Sequence, residues 1–387
     1  MEDGRPRPSL HSSPLPGGDA RFPLDLFFPA LSRIILCITK SATGRSSSKS
    51  SRAGAPAPHE PKTDLRLGRI VRLLMENATV VVSGTKIAEE IGTSRSEVWR
   101  LVQQLRTLGV EIAGHPATGY RLKSVPDLLL PDMLVPFLKG TIFTQEMHHY
   151  YKIGSTNNEA MSSASTGAPE GSVFVAEEQT AGRGRGAHQW ASAPSAGIYC
   201  SVVLRPALPP AEALVLSLAA GLAVNAAVHQ VDSRIIPDLK WPNDLLIDGK
   251  KFCGILTEMN AEATRVRYIV VGIGINVNQS RFPDDLAQSA TSLRLASGTE
   301  WSRVDLCAAL LKSLDREYRD LLQKPGAHQS ILKRFQEQSS SARGRQVQVE
   351  ENCGFEGVTD GLDPRGFLQV RTAEGLRTVL SGTVRLK

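Results

Sequence analysis

Apolar positions begin to recur regularly just after Asp64. Leu67, Ile70, Val71 and Leu74 fall at three- and four-residue intervals, the spacing of one buried helix face, and residues 86–91 predict a shorter helix closed by Gly92. A third helix follows at once. Ser94 with Glu97 three residues on is a capping-box pair, and Val98, Leu101, Val102, Leu105 and Leu108 form one apolar stripe behind it. The opposite face carries Arg95, Ser96, Trp99, Arg100, Gln103 and Gln104. Gly109 stops this helix, and residues 110–113 and 119–122 read as two short strands around a Pro-containing turn. Further on, strand patterns at 173–177, 198–204, 255–258 and 268–273 mix with helical ones at 157–163, 211–230 and 304–322, which argues an α/β or α+β unit over residues 125–335. Residues 346–386 alternate short β runs with Gly and Asp turns, so 340–387 is expected to be a small β domain.

Helix, helix, tight turn, helix and hairpin is the order of a winged helix-turn-helix, placed here at residues 64–124. Its polar face suits a helix lying in the major groove, with Ser94, Arg95, Ser96, Trp99, Arg100 and Gln103 as the DNA-binding set. A helical protein-interaction module with a solvated face is the alternative. One such helix reads a half-site, so specific binding would require a dimer.

Composition sharpens this division. At 387 residues, 41% hydrophobic and 22% charged, the chain is a multidomain globular protein rather than a peptide, a fibre or a wholly disordered chain. Its net charge of +6 is concentrated: residues 1–63 hold nine Lys/Arg against five Asp/Glu, residues 64–124 hold nine against six, and the remainder is close to neutral. Residues 1–63, rich in Ser, Pro, Gly and Arg, read as a disordered extension or as upstream sequence ahead of the true start. The apolar stretch 22–39 is interrupted by Asp25, Pro29 and Arg33 and lacks a cleavage site, so it predicts neither a signal peptide nor a membrane span. The Ala-rich run 211–231 predicts a buried helix. The five Cys (37, 200, 253, 307 and 353) never fall in C-x-x-C or metal-ligand spacing, which points to a reducing compartment, the cytoplasm, and to no structural metal.

Four segments carry candidate chemistry. Gln179 opens Gln-Thr-Ala-Gly-Arg-Gly-Arg-Gly-Ala-His-Gln-Trp, a basic glycine loop directly after a predicted strand; alone it fits neither the Walker pattern nor the dinucleotide fingerprint. Lys240-Trp-Pro-Asn-Asp-Leu sets a cation beside a rigid turn, Lys251-Phe-Cys-Gly-Ile-Leu-Thr-Glu follows, and residues 270–278 end an apolar strand in glycines and amides. Taken singly these are a surface turn, an edge strand and a buried strand. In this order, after Gly154-Ser-Thr-Asn, they are highly specific.

Together they resemble the biotin protein ligases, and the front module makes the chain similar to the bifunctional ligase/repressor subgroup of that family. The resemblance runs over residues 64–387, including Gly119-Tyr-Arg-Leu of the front module and a C-terminal part similar to the family's SH3-like β-barrel. It implies a two-step reaction: biotin and Mg-ATP give biotinyl-adenylate and pyrophosphate, then a Lys of a biotin carboxyl carrier protein takes the biotinyl group. ATP and Mg2+ enter as co-substrate and biotin as substrate. The further partners implied are operator DNA of biotin synthesis genes and a homodimer formed on binding the adenylate, with no membrane. By the same resemblance Ser155, Thr156, Asn157 and Gln179 hold biotin together with Arg183, Gly184, Arg185 and Lys240. Gly182, Trp190, Asn243, Asp244, Lys251 and Asn276 attend the nucleotide.

Chemistry agrees with that assignment. A carboxylate attacking an α-phosphate brings two anions together, so positive donors must lie between them; Arg183, Arg185 and Lys240 are the available catalytic set. No enzyme nucleophile is needed, and the tandem His148-His149 reads as surface. The loop 182–190 is expected to be disordered alone and to close over the adenylate, because ordering nine residues costs roughly 9 to 18 kcal/mol and anion contacts offset that only when the anion is present. Family members commonly continue Arg-Gly-Arg-x-Gly-Arg-x-Trp; here Gly186, Ala187 and His188 follow Arg185, which predicts weaker adenylate retention. A lipoate or octanoyl ligase lacks the Lys-Trp-Pro-Asn-Asp turn, and a repressor that merely senses biotin would dispense with Lys240 or Arg185.

Overall fold

The computed structural model describes residues 61–124, 127–350, 354–380 and 382–387. The apolar stretch 22–39, Cys37, Cys353 and the extension up to residue 60 lie outside the described residues. Helix α1 (Pro61–Glu76) starts three residues before the expected boundary at 64. Its first residue is a proline, whose missing N–H costs nothing in a first turn and whose fixed φ suits it.

The front module continues with α2 (Gly84–Ile91), α3 (Arg95–Thr107) and a hairpin of β1 (Ile112–His115) and β2 (Gly119–Leu122). Ser83 caps α2, and Gly92 ends it at φ 65, the left-handed conformation glycine adopts without strain. Ser94 Oγ accepts from Glu97 N at 3.2 Å, as the capping-box pattern requires. Glu97 does not reach back, however; its carboxylate takes the Arg100 guanidinium at 2.8 and 2.6 Å, which holds it below the usual carboxylate range. Strand β1 begins later than expected because Val110 N is spent on Leu105 O, closing the helix. Leu67, Ile70, Leu74, Val98, Leu101 and Leu105 are fully buried in a core that also takes in Leu128, Leu130 and Tyr151 of the next domain.

A seven-stranded sheet forms the centre, in the order β3-β4-β5-β9-β8-β7-β6. Its strands are β3 (Met147–Tyr150), β4 (Val173–Ala176), β5 (Gly197–Leu204), β6 (Asp238–Lys240), β7 (Asp244–Ile247), β8 (Lys250–Ala261) and β9 (Val266–Asn276). Only β3 and β4 are parallel neighbours; the other pairs are antiparallel. β8 and β9 run several residues beyond the predicted 255–258 and 268–273, because the glycines and polar residues that break their alternation face a functional surface instead of ending the strands.

One face of the sheet packs on α5 (Leu214–Val231) and α6 (Arg303–Gln323), with α7 (Ala327–Glu337) packed against these helices and the later strand β11 (Phe355–Leu362). Inward residues Val173, Val175, Ile198, Val202, Ile255, Ile269, Val271 and Ile273 alternate along the strands, as period-two geometry demands. Helix α5 is long and apolar enough to cross a membrane, yet it is mostly buried between this face and the other two helices, the predicted core helix. The opposite face takes the shorter α4 (Thr156–Ser165), seated over β4, β5 and β9.

The C-terminal β-rich domain is a five-stranded antiparallel sheet in the order β13-β12-β11-β10-β14, built from β10 (Arg343–Glu350), β11 (Phe355–Leu362), β12 (Leu368–Thr372), β13 (Gly375–Val379) and β14 (Thr383–Leu386). Its Val347, Val349, Leu368 and Val370 share the core of α5, and Trp241 Nε1 donates to Gly366 O at 2.9 Å. Burial of these residues fixes the domain against the Lys240 turn.

One buried ion network ties the front linker to the sheet. Arg303, 1% exposed, holds Asp127 at 3.1 Å and Glu177 at 2.8 Å, and donates to Gly197 O. Burial alone would raise the Glu177 carboxyl, but Arg303, His149 and the Leu129 N–H pull it down to about 2. His149 is therefore not a surface residue: its side chain is 6% exposed and lies 3.1 Å from Glu177. Two adjacent histidines on a strand point to opposite faces, which a linear reading of the pair overlooks.

Candidate active site

The polar face of the sheet is cleared by glycine. Gly254 and Gly274 lie opposite each other on β8 and β9, and Gly272, two positions before Gly274, is on the same face. A Cβ on Gly272 would lie 1.9 Å from Asn157 Oδ1, and one on Gly274 would lie 2.6 Å from the Trp190 ring. The absence of side chains lets the N-terminal turn of α4 and the loop after β4 approach the backbone and leave a cavity of about 380 Å³ above it.

At one end of this cavity the polar groups interlock. Gln179 Oε1 accepts from Thr156 N and Thr156 Oγ1 at 2.9 and 3.1 Å, while its Nε2 donates to Ser192 Oγ at 3.0 Å. Ser201 Oγ donates to Asn157 Oδ1 at 2.6 Å and lies 2.8 Å from Thr156 Oγ1. Buried Thr156 and Asn157 are thus fixed by their neighbours, with Ser155 buried beside them, the pre-organisation that recognition of a small polar head group requires. Burial pushes the Tyr199 hydroxyl above its ordinary value, so it stays protonated and donates to Ala193 O.

At the other end sit the cations. Lys240 ends β6 and faces the cavity, with no ion-pair partner among the described residues. Lys251 Nζ lies 2.7 Å from Asp244 Oδ1 and 5.5 Å from the Trp190 ring centroid, a cation held over an aromatic face. In the loop, Trp190 N donates to Gly182 O at 2.9 Å and Gly184 N to His188 O at 2.7 Å. Arg185 reaches across to donate to Gly382 O at 3.1 Å, so the C-terminal domain helps to wall the cavity. Arg183 is bound by Glu258 at 2.8 Å.

Comparison with known proteins gives this arrangement a lineage. Residues 151–276 match the Biotin/lipoate A/B protein ligase family, 66–121 the HTH domain and 344–387 the Biotin protein ligase C terminal domain. The Bifunctional ligase/repressor BirA of Bacillus spizizenii is 37% identical over 320 residues, covering 82% of this chain and 97% of that one. The chain belongs to the biotin protein ligase family. The Bifunctional ligase/repressor BirA of Escherichia coli is 27% identical, over 79% of this chain and 92% of that one. A solved biotin protein ligase from Aquifex aeolicus, in complex with biotin and ATP, aligns with a TM-score of 0.54 at 28% identity, over 63% of this chain and 99% of that one.

In this biotin protein ligase the cavity is lined by Ser155, Thr156, Asn157, Gln179, Arg183, Gly184, Arg185, Trp190, Lys240, Asn243, Asp244 and Lys251, all singled out in the sequence. Two expected residues are not brought to it. Gly182 forms the base of the loop, where a Cβ would strike Trp190 O at 2.4 Å. Asn276 is buried with its amide spent on Thr291 O and Gln279, so it anchors the segment after β9 instead of facing a nucleotide. Arg183 lines the cavity with its guanidinium paired to Glu258, a partner the sequence did not indicate.

Sequence reasoning missed the glycine floor, Ser201, Tyr199 and the C-terminal Gly382 and Val384. The floor had a signal: Gly272 and Gly274 are two apart, hence on one face of a strand. In the ligase's front module, Trp99 is 46% exposed on α3, Arg100 pairs with Glu97, and Arg95 donates to Pro116 O in the wing at 2.8 Å. Ser94 is committed to capping, and Gln103, oriented with its oxygen toward donors, accepts from Arg106 and Trp99.

Proposed function

We propose that this chain is an ATP-dependent biotin ligase that charges a biotin carboxyl carrier protein and doubles as a biotin-responsive repressor. The observation that carries the reading is the convergence of Lys240 and Arg185 on one cavity whose far end is a fixed polar network seated on glycine backbone. Biotin's ring system lies on the Gly272–Gly274 floor against Asn157, Thr156 and Gln179. Its carboxylate then points toward Lys240. A carboxylate oxygen attacks the α-phosphorus of ATP, the bond to the bridging oxygen breaks and pyrophosphate leaves; Lys240 and Arg185 stabilise the charge gathered between two anions. A carrier lysine amine next attacks the acyl carbon, and AMP leaves with the bonding pair.

Mg2+ accompanies ATP, and Asp244, the carboxylate lining the cavity beside Lys251, would be the residue to meet it once phosphates draw Lys251 away; a hard cation carried on phosphates needs few protein ligands. Asn243 donates to Ile255 O at 2.8 Å and fixes the turn that carries Lys240 and Asp244. Closure of residues 182–190 over the adenylate keeps water from the mixed anhydride. Adenylate binding promotes a homodimer, which places two α3 helices on the half-sites of an operator. Transfer of labelled biotin to a carrier domain, dependent on ATP, tests the ligase; a gel shift on a biotin-gene promoter, strengthened by biotin plus ATP, tests the repressor. Absence of labelled carrier would end the first reading, and a shift indifferent to biotin the second.

A further inference from the structure

Glu258 stands outside the cavity wall, yet both residues that donate to its carboxylate, Asn157 and Arg183, line the cavity. It lies on β8 at an even position, on the face shared with Gly254 and Leu256, and its side chain is only 14% exposed. Its Oε2 accepts from Asn157 Nδ2 at 3.0 Å and from Arg183 Nη1 at 3.0 Å, and its Oε1 accepts from Arg183 Nη2 at 2.8 Å. Arg183 Nη1 also donates to Asn158 Oδ1 at 2.6 Å.

We infer that Glu258 is a positioning residue that locks the biotin-head network and the nucleotide loop to one carboxylate. An ionised carboxylate accepts only, so it fixes which end of the Asn157 amide faces it. Both Asn157 N–H bonds are then used, one on Glu258 and one on Leu256 O, and Asn157 Oδ1 is left over Gly272 for Ser201. The same carboxylate takes the Arg183 guanidinium as a two-pronged fork, the most directional of the charged pairings. That fork pins the entry of the loop to β8 and holds the Arg183 guanidinium beside Asn157 and Asn158. Loosening this carboxylate therefore frees the loop and the head-group amide together, which speeds loss of the adenylate more than it slows its formation.

The inference rests on the ligase reading, and the experiment separates the two. Biotin-dependent exchange of labelled pyrophosphate into ATP is measured first on the wild-type protein; its absence would sink the ligase reading and this assignment with it. Release of labelled adenylate is then compared for the wild type, Glu258→Gln, Arg183→Gln and the double variant. The glutamine turns one acceptor into a donor facing donors, and release is expected to rise about tenfold, as loss of a charged hydrogen bond implies. Single-turnover adenylate formation is expected to fall by a smaller factor, and the double variant to release no faster than the worse single one. Wild-type release from an exchange-competent Glu258→Gln protein, or additive effects in the double variant, would overturn the assignment. Should Glu258→Gln fail to fold, Arg183→Gln alone decides: fast release supports it and wild-type release refutes it.

Discussion

The central sheet shows two faces made by the same strands. Toward α5 and α6 it presents Val, Ile and Leu at alternate positions, packed without polar groups along β5 and β9. Toward α4 the intervening positions divide: Val203, Tyr268 and Val270 pack against α4, whereas Tyr199, Ser201, Gly254, Leu256, Glu258, Gly272 and Gly274 border the site. The first face gains stability by filling space; the second gives up that contribution by leaving space. The lesson is that one rigid layer carries both, and that the stable face holds the backbone of the other in place for binding.

The largest test falls where a charge is buried at the seam. Glu177 follows Val175 by two positions and faces Arg303, so Arg303→Met is expected to cost about 3 to 5 kcal/mol by stranding a buried carboxylate; an unfolding free energy from urea titration at pH 7 lowered by less than a quarter of that would contradict it. The pair also sets the acid limit. The Glu177 carboxyl sits at about 2 against an ordinary 4.5, so its contribution to stability is complete above 4.5 and is lost as pH falls from there toward 2. Acid titration of the unfolding free energy should show a loss in that window.

On the polar face, Lys240→Gln should leave the fold intact and reduce adenylate formation roughly 10²- to 10³-fold, the usual consequence of removing one donor to developing charge. Single-turnover kinetics with saturating biotin and ATP would measure it. A pair of alanine substitutions compares the faces directly. Gly272→Ala must displace Asn157, whose buried amide then loses bonds worth about 1 to 3 kcal/mol, read as weaker biotin binding by calorimetry. Gly221→Ala in α5 meets nothing closer than Leu239 at 3.4 Å and should leave biotin affinity unchanged. Equal effects at the two positions would erase the distinction between the faces. The smallest effect concerns the distant module: Trp99→Ala should weaken promoter binding in a gel shift and leave carrier biotinylation as it was.

Much of this was legible in the chain, and the gaps have physical causes. Helix α3 is written by local signals, a capping serine and a stripe of apolar residues, and it appears where those signals put it. The cations Arg185 and Lys240 were legible because their motifs are contiguous. The pairing of Arg183 with Glu258 was not legible, since the two lie 75 residues apart and no local pattern shows such a partner. His149 was misread as surface because a polar residue on a strand reads as exposed until its buried partner, here Glu177, is known. The ends of β8 and β9 were hidden by glycines, which weaken a strand pattern when they are read as propensity and mark a floor when they are read as space.

The central claim is that one acyl-phosphate lies between Lys240 and Arg185 above the glycine floor. A crystal structure with a non-hydrolysable sulfamoyl analogue of biotinyl-adenylate tests it most directly. The account predicts the ring system over Gly272 and Gly274 beside Asn157 and Gln179, with the sulfamoyl group within hydrogen-bond reach of both cationic side chains. A ligand bound elsewhere, or one whose sulfamoyl group faces Arg183 while Lys240 points away, would contradict it.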